Sequence, residues 1–120
     1  MSKVDKLRVR GYLDHILKAI QRIHHYVENM TETGFLGDIR TQDAVIRNFE
    51  VIGEACRNIE HHHPGFASEH PEVPWGVAYE MRNALAHGYF KVDLEIVWKT
   101  IHQDLRPLAT QIGNLWKEAD

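Results

Sequence analysis

Leu13, Ile16, Ile20, Ile23, Val27 and Met30 step along the chain by three, four, three, four and three. That spacing lays them along one stripe of a helix. Lys18, Gln21, Arg22, His25 and Glu28 fall on the opposite face. The pattern predicts a helix over about residues 4–31, broken by Gly34 and Gly37. Thr41 is suited to cap a second helix, with Asp43 in the first turn where the helix dipole favours negative charge. Val45, Phe49, Ile52, Cys56 and Ile59 carry this helix to an end near His62, before Pro64. Three prolines and a glycine in HHHPGFASEHPEVP, residues 61–74, predict a loop between helices. A third helix is expected from Pro74 or Trp75, with Ala78, Met81 and Leu85 inward. It should stop around His87, because Gly88 is the natural residue just past a helix end. Asp93 then caps a fourth helix burying Leu94, Val97 and Ile101, and Leu105, Leu108, Ile112 and Leu115 continue the stripe. Either Pro107 kinks this last helix, or Asp104 caps a separate fifth one with Pro107 in its first turn. No stretch alternates as a strand would. The expectation is one all-α domain over residues 1–120, an antiparallel four- to five-helix bundle.

Composition narrows the function classes. Hydrophobic residues make up 43% and charged residues 26%, as in ordinary globular domains. The net charge of −3 argues against a general nucleic-acid coat, so any RNA contact must be local. The one basic cluster, Lys3, Lys6, Arg8 and Arg10, can steer RNA but reads more simply as a solvated helix start. Cys56, the one cysteine, sits in an apolar periodic stretch and is expected to be a small core residue, in keeping with a reducing compartment. The start MSKVDKLRVRGYL has no apolar run that would make a secretory signal, and no stretch approaches the ~20 apolar residues of a membrane span. A cytoplasmic protein is expected.

Candidate chemistry concentrates in MRNALAHGYF, residues 81–90. Imidazole titrates near neutrality and can take a proton from a ribose 2′-hydroxyl. A guanidinium stays charged, and its fork of donors matches phosphate oxygens, so it can stabilise a pentacoordinate transition state. His87 and Arg82 suit these roles, and the scheme needs neither a metal nor a cofactor. The spacing raises a difficulty. Five residues on an ideal helix rotate by about 500°, so Arg82 and His87 point about 140° apart. Either the helix end at Gly88 brings them together, or two copies of the helix pool their residues across a dimer axis. Asn83 lies four residues before His87, on the same side, and can orient the imidazole or touch a ligand. The bland alternative is a solvated arginine, a histidine that caps a helix, and Tyr89 and Phe90 as core aromatics.

Other clusters carry less. His61, His62 and His63, with His70 beyond, form a group that can take up zinc or nickel, yet consecutive helical residues fan out by about 100° each. No dedicated metal site is assigned. His24 and His25 read as a helix face; Glu50 and Glu54, four apart, can be read as an acid–base pair, but with Arg47 and Arg57 nearby a surface ion-pair set is the simpler reading. Arg47 and Asn48 are alternatively placed near a dimer cleft. Trp75, Trp98 and Trp116 are expected in the core or a dimer seam.

The block MRNALAHGYFKVDLEIVWKTIHQDLRPL resembles the HepT-like branch of the HEPN superfamily, whose Arg-x4-His-x-Tyr motif is matched by Arg82, His87 and Tyr89. The VPW at 73–75 and the RNFEVIGEA at 47–55 also look like that family, and the resemblance runs over roughly residues 5–116. It implies an all-helical, metal-independent ribonuclease toxin of a toxin–antitoxin pair. Its motifs from both protomers of a homodimer would line one cleft, with Arg82, His87 and Asn83 at the family's catalytic positions. The implied antitoxin is a small MntA-like nucleotidyltransferase that transfers AMP onto Tyr89, in a complex able to assemble beyond the dimer. Transfer RNA is implied ahead of messenger RNA as substrate. The same superfamily is associated with an alternative role, the non-catalytic substrate-binding subunit of a minimal nucleotidyltransferase.

Overall fold

A computed structural model describes residues 2–87 and 92–118, for Ala84, Ala86 and His87 the backbone alone. Five long helices form the expected all-α antiparallel bundle: α1 (Lys3–Val27), α3 (Ile39–His62), α5 (Trp75–His87), α6 (Leu94–Gln103) and α7 (Leu105–Glu118). Two short ones, α2 (Glu32–Leu36) and α4 (Pro64–Glu69), lie in the connections. α1 packs between α3 and α7, α3 carries α5 on another side, and α6 lies against α7 and α2. Pairings at the helix ends show the antiparallel sense. Tyr12 on α1 faces His63 at the end of α3 (ring centroids 6.2 Å), and Arg10 lies over the Trp116 ring near the end of α7 (4.2 Å).

The core is the predicted set of stripes. Leu13, Ile16, Ile20, Ile23 and Val27 of α1 are buried with Val45, Phe49, Ile52, Cys56 and Ile59 of α3 and Leu105, Leu108, Ile112 and Leu115 of α7. Each such aliphatic side chain contributes about 1.5–3 kcal/mol by leaving water. Exposed ion pairs such as Lys18–Asp14 (2.9 Å) contribute at most about 1 kcal/mol, so burial and not surface charge decides this fold. Cys56 is fully buried, and that burial pushes its thiol up to about 12, which leaves it protonated and unreactive at neutral pH. Trp75 is buried, with its indole N–H donating to the His70 carbonyl (3.1 Å). Trp98 and Trp116 are half-buried against the core.

Several boundaries differ from the pattern reading, each for a local reason. α1 stops at Val27 instead of 31, where the Glu28 amide turns back onto the His25 carbonyl. Gly34 does not break the chain but sits inside α2, which starts from Thr31 with its hydroxyl accepting from the Gly34 amide (3.0 Å). The buried Phe35 anchors this short helix, and the buried Gln42 donates its amide to the Phe35 and Leu36 carbonyls (2.9 and 3.1 Å). Thr41 is not the cap of α3: Asp38 is, and Thr41 donates to its carboxylate through backbone amide and hydroxyl (3.0 and 2.9 Å). Those bonds hold the Asp38 carboxyl below its usual range, so its contribution to stability is complete at neutral pH and is lost as pH falls through the lowered value. The 61–74 loop contains α4, which begins at Pro64 because proline is preset for a first helical turn. At Asp104 the last stripe divides into α6 and α7, with Pro107 in the first turn of α7 and no kink inside a single helix. Asp93 caps α6 as expected, accepting from the Glu95 and Ile96 amides (3.0 and 3.3 Å). The expected stop at Gly88 lies outside the described residues.

Candidate active site

α3 and α5 approach each other unusually closely, and Gly53 is the reason. A Cβ built there would overlap the Cβ of Arg82 and come within 2.9 Å of the Ala78 carbonyl oxygen. The glycine thus lets the start of the Arg82 side chain lie directly on the α3 backbone. From there the guanidinium reaches Glu54, the next residue of α3, with Nε 3.3 Å from the carboxylate Oε2. Nη1 donates to the Asn83 Oδ1 (3.1 Å). Nη2 has no partner among the described residues. Arg82 is 28% exposed and Glu54 46% exposed, so the pair sits at a rim and not in the core.

The rim belongs to a groove of about 360 Å³ between α1, α3 and α5. Tyr12 and His15 of α1 form one wall, and Arg47, Glu50, Glu54 and Asn58 of α3 form the floor beside Arg82. Two carboxylates and two guanidiniums give it mixed charge, arranged as Arg47–Glu50 (3.8 Å) and Arg82–Glu54. The expected surface ion-pair set is therefore only half local. Arg47 and Glu50 pair within α3, but Glu54 turns to another helix, and the Arg57 guanidinium lies over the Tyr79 ring instead (5.2 Å). Arg47 lines the groove, whereas Asn48 is buried and donates to the Ala44 carbonyl of its own helix (2.9 Å).

A guanidinium anchored on two sides, with one nitrogen left over at the mouth of a groove, can accept a phosphate without moving. The comparisons with known proteins bear on what that phosphate belongs to. The family described as Ribonuclease HepT-like matches residues 16–115. The chain belongs to the HepT-like family.

Among its relatives, a protein of Thermococcus cleftensis named "Probable ribonuclease HepT" is 40% identical over 108 residues, 90% of this chain and 96% of that one. A Methanocaldococcus jannaschii protein named "Putative RNase" is 40% identical over 96 residues, 80% of this chain and 77% of its own. A second protein of that organism, named as a gamma-glutamylcyclotransferase and "putative RNase", is 38% identical over 112 residues, 93% of this chain, and this chain spans 49% of it. No solved structure matches the chain with significance.

Within the HepT-like motif, Arg82 lines the groove and Asn83 stands behind it, its side-chain carbonyl oxygen accepting from the arginine. His87 is the last residue of α5, and the backbone is still helical there. Tyr89 lies outside the described residues. Among the described residues, no group of three histidine, cysteine or acidic side chains is placed to hold a metal ion. The His61–His63 run is split: His61 and His62 are exposed, while His63 is buried beside Tyr12. His24 is not simply a helix-face residue either. It is half-buried with an unpartnered Nε2, and burial first, then Arg106 and His102, pulls its pKa down. Gly53 and His15 do not stand out as site residues in the pattern, and Glu54 does so only as one of a carboxylate pair with Glu50, with nothing to link it to Arg82. The one signal for Gly53 was a glycine in the middle of a helical stripe, where it costs stability unless two backbones must meet.

Proposed function

We propose that this chain is a metal-independent endoribonuclease acting as the toxin of a toxin–antitoxin pair. The observation that carries the reading is Arg82, held by Glu54 and Asn83 at the groove mouth with Nη2 unpaired among the described residues, one turn and a half before His87 on the same helix. His87 takes the proton from a ribose 2′-hydroxyl, whose oxygen attacks the adjacent phosphorus. Arg82 stabilises the added negative charge of the pentacoordinate state. Protonated imidazole then returns the proton to the departing 5′-oxygen, leaving a 2′,3′-cyclic phosphate and a free 5′-hydroxyl. The internal nucleophile limits the substrate to RNA, with transfer RNA the first candidate.

A homodimer supplies the missing geometry. Because α5 stays helical through His87, the rotation of about 500° from Arg82 persists along the backbone, and the helix end does not undo it. Arg82 of one protomer would then work with His87 of the other. The antitoxin in this reading is a small nucleotidyltransferase that joins AMP to the Tyr89 hydroxyl, releasing pyrophosphate from ATP. The added phosphate charge and base, two residues from His87, would repel and block an RNA phosphate.

Purified protein should cleave transfer RNA in EDTA and leave cyclic-phosphate ends. Co-expression with the nucleotidyltransferase should add AMP-sized mass to the peptide holding Tyr89 and stop the cleavage. Hydrolysis only on addition of a divalent cation would overturn the mechanism. Glu54→Gln should slow cleavage by about tenfold, because losing the ion pair with Glu54 frees the guanidinium to wander. Saturating-substrate kinetics should show the loss in kcat; an unchanged rate would separate Glu54 from the chemistry.

A further inference from the structure

A second and larger groove, of about 1210 Å³, runs between the C-terminal half of α1, the end of α6 and the start of α7. It shares no lining residue with the Arg82 groove, and α1 separates the two. Its charge departs from that of the whole chain. The protein carries 17 acidic against 14 basic residues, yet this groove is lined by Lys18, Arg22 and Arg106, the histidines His24, His25 and His102, and one acid, Glu28. Glu28 is engaged by His25 (3.4 Å), and Lys18 by Asp14 (2.9 Å). No carboxylate pairs with Arg22 or Arg106 among the described residues.

Part of this charge has a plain structural explanation: His24 and His25 sit in the last turn of α1, where the helix dipole favours cations. Arg106 has the opposite setting. It lies in the first turn of α7, where the dipole opposes a positive charge and the one nearby acid, Asp104, stands just before the helix without pairing with it. Helix stability does not account for an arginine there. The Nε2 of His24 is buried with no hydrogen-bond partner among the described residues, and burial first, then Arg106 and His102, lowers the pKa of that ring.

We propose that this groove is a second phosphodiester-binding surface, which holds single-stranded RNA beyond the cleavage point. The proposal rests on the ribonuclease reading for the identity of the strand. The cations come from separate segments of the chain. They spread over three helices, and along α1 the exposed His15, Lys18, Arg22 and His25 step by three, four and three. These four form one ridge about 15 Å long on the face away from the buried stripe. His15 stands in the Arg82 groove, and the other three line the second one. The ridge therefore links both grooves along a path that a sugar-phosphate backbone can follow.

The test uses the double substitution Arg22→Ser with Arg106→Ser, both exposed positions, in otherwise intact protein and in a non-cleaving His87→Ala background. In that background, affinity for a labelled RNA long enough to span both grooves should fall about tenfold at physiological salt. The slope of log affinity against log salt should shrink by about 1.4, for two phosphates each releasing roughly 0.7 of a counterion. With His87 restored, cleavage of a dinucleotide substrate should be unchanged. Unaltered affinity and slope for the long RNA would overturn the proposal, as for a groove that serves an acidic protein. So would equal displacement of the RNA by millimolar inorganic phosphate or AMP, which would mark a small-anion site. If the unsubstituted protein cleaves nothing but the salt slope still depends on these arginines, the nuclease reading fails and the groove stands.

Discussion

His87→Ala loses RNA cleavage by a factor of about 100–10,000 while the bundle melts with the unsubstituted protein; these are the effects expected of removing a general acid–base group from a helix end. The comparison of rate and melting is what gives the result meaning. If His87 only finished α5 by interacting with its carbonyl end, the substitution would lower stability by about 1 kcal/mol and leave any cleavage intact. The gap between the two outcomes is large enough for a gel assay in EDTA and a thermal melt to decide. Arg82→Lys is the natural companion, since lysine keeps the charge but loses the planar fork that lets Nε hold Glu54 while other nitrogens face outward. Mixing the variants tests the dimer directly. Inactive Arg82→Ala and His87→Ala proteins, unfolded and refolded together in equal amounts, should recover about a quarter of full activity if each site draws on both protomers. Half the dimers would then be mixed, and each mixed dimer would hold one intact site. No recovery would mean that each protomer works alone.

The long elements were legible because burial is periodic. The stripes of α1, α3 and α7 are nearly continuous in the core, so spacing alone identifies them. The short helices were not, because their stability is borrowed from elsewhere. α2 exists around Phe35 and two carbonyls tied to Gln42, a residue of the following helix, and α4 is a single proline-started turn and a half. Threonine is a good cap, which makes Thr41 look like one, yet Asp38 three residues earlier accepts from both its amide and its hydroxyl. The site divides the same way. Arg82 and Asn83 stand out in a local motif. Glu54 and Gly53 matter through contacts across a helix pair, and residue spacing within one helix does not report on those.

Gly53→Ala is the substitution in which that hidden contact should show most clearly, because two known effects predict opposite signs. Alanine in place of glycine inside a helix stabilises it by about 1 kcal/mol. At this position the new methyl meets the Arg82 Cβ and, at 2.9 Å, the Ala78 carbonyl oxygen. Neither is the loose end of a side chain, so α5 itself must move away from α3. Overpacking of this kind costs about 1–3 kcal/mol, and here the rigid partners put it at the upper end, so a net loss of about 1–2 kcal/mol is expected in urea unfolding. The displacement also carries Arg82 away from the position set by Glu54. A shift of about 1 Å at a reacting centre can lower rate by about 100-fold, so cleavage should fall far more than the fraction folded does. Gly53→Val, with two more methyl groups at the same contact, should unfold more readily still. An alanine variant that is more stable than the parent and equally active would mean that α3 and α5 do not meet at Gly53, and that Arg82 is positioned by something other than this close approach.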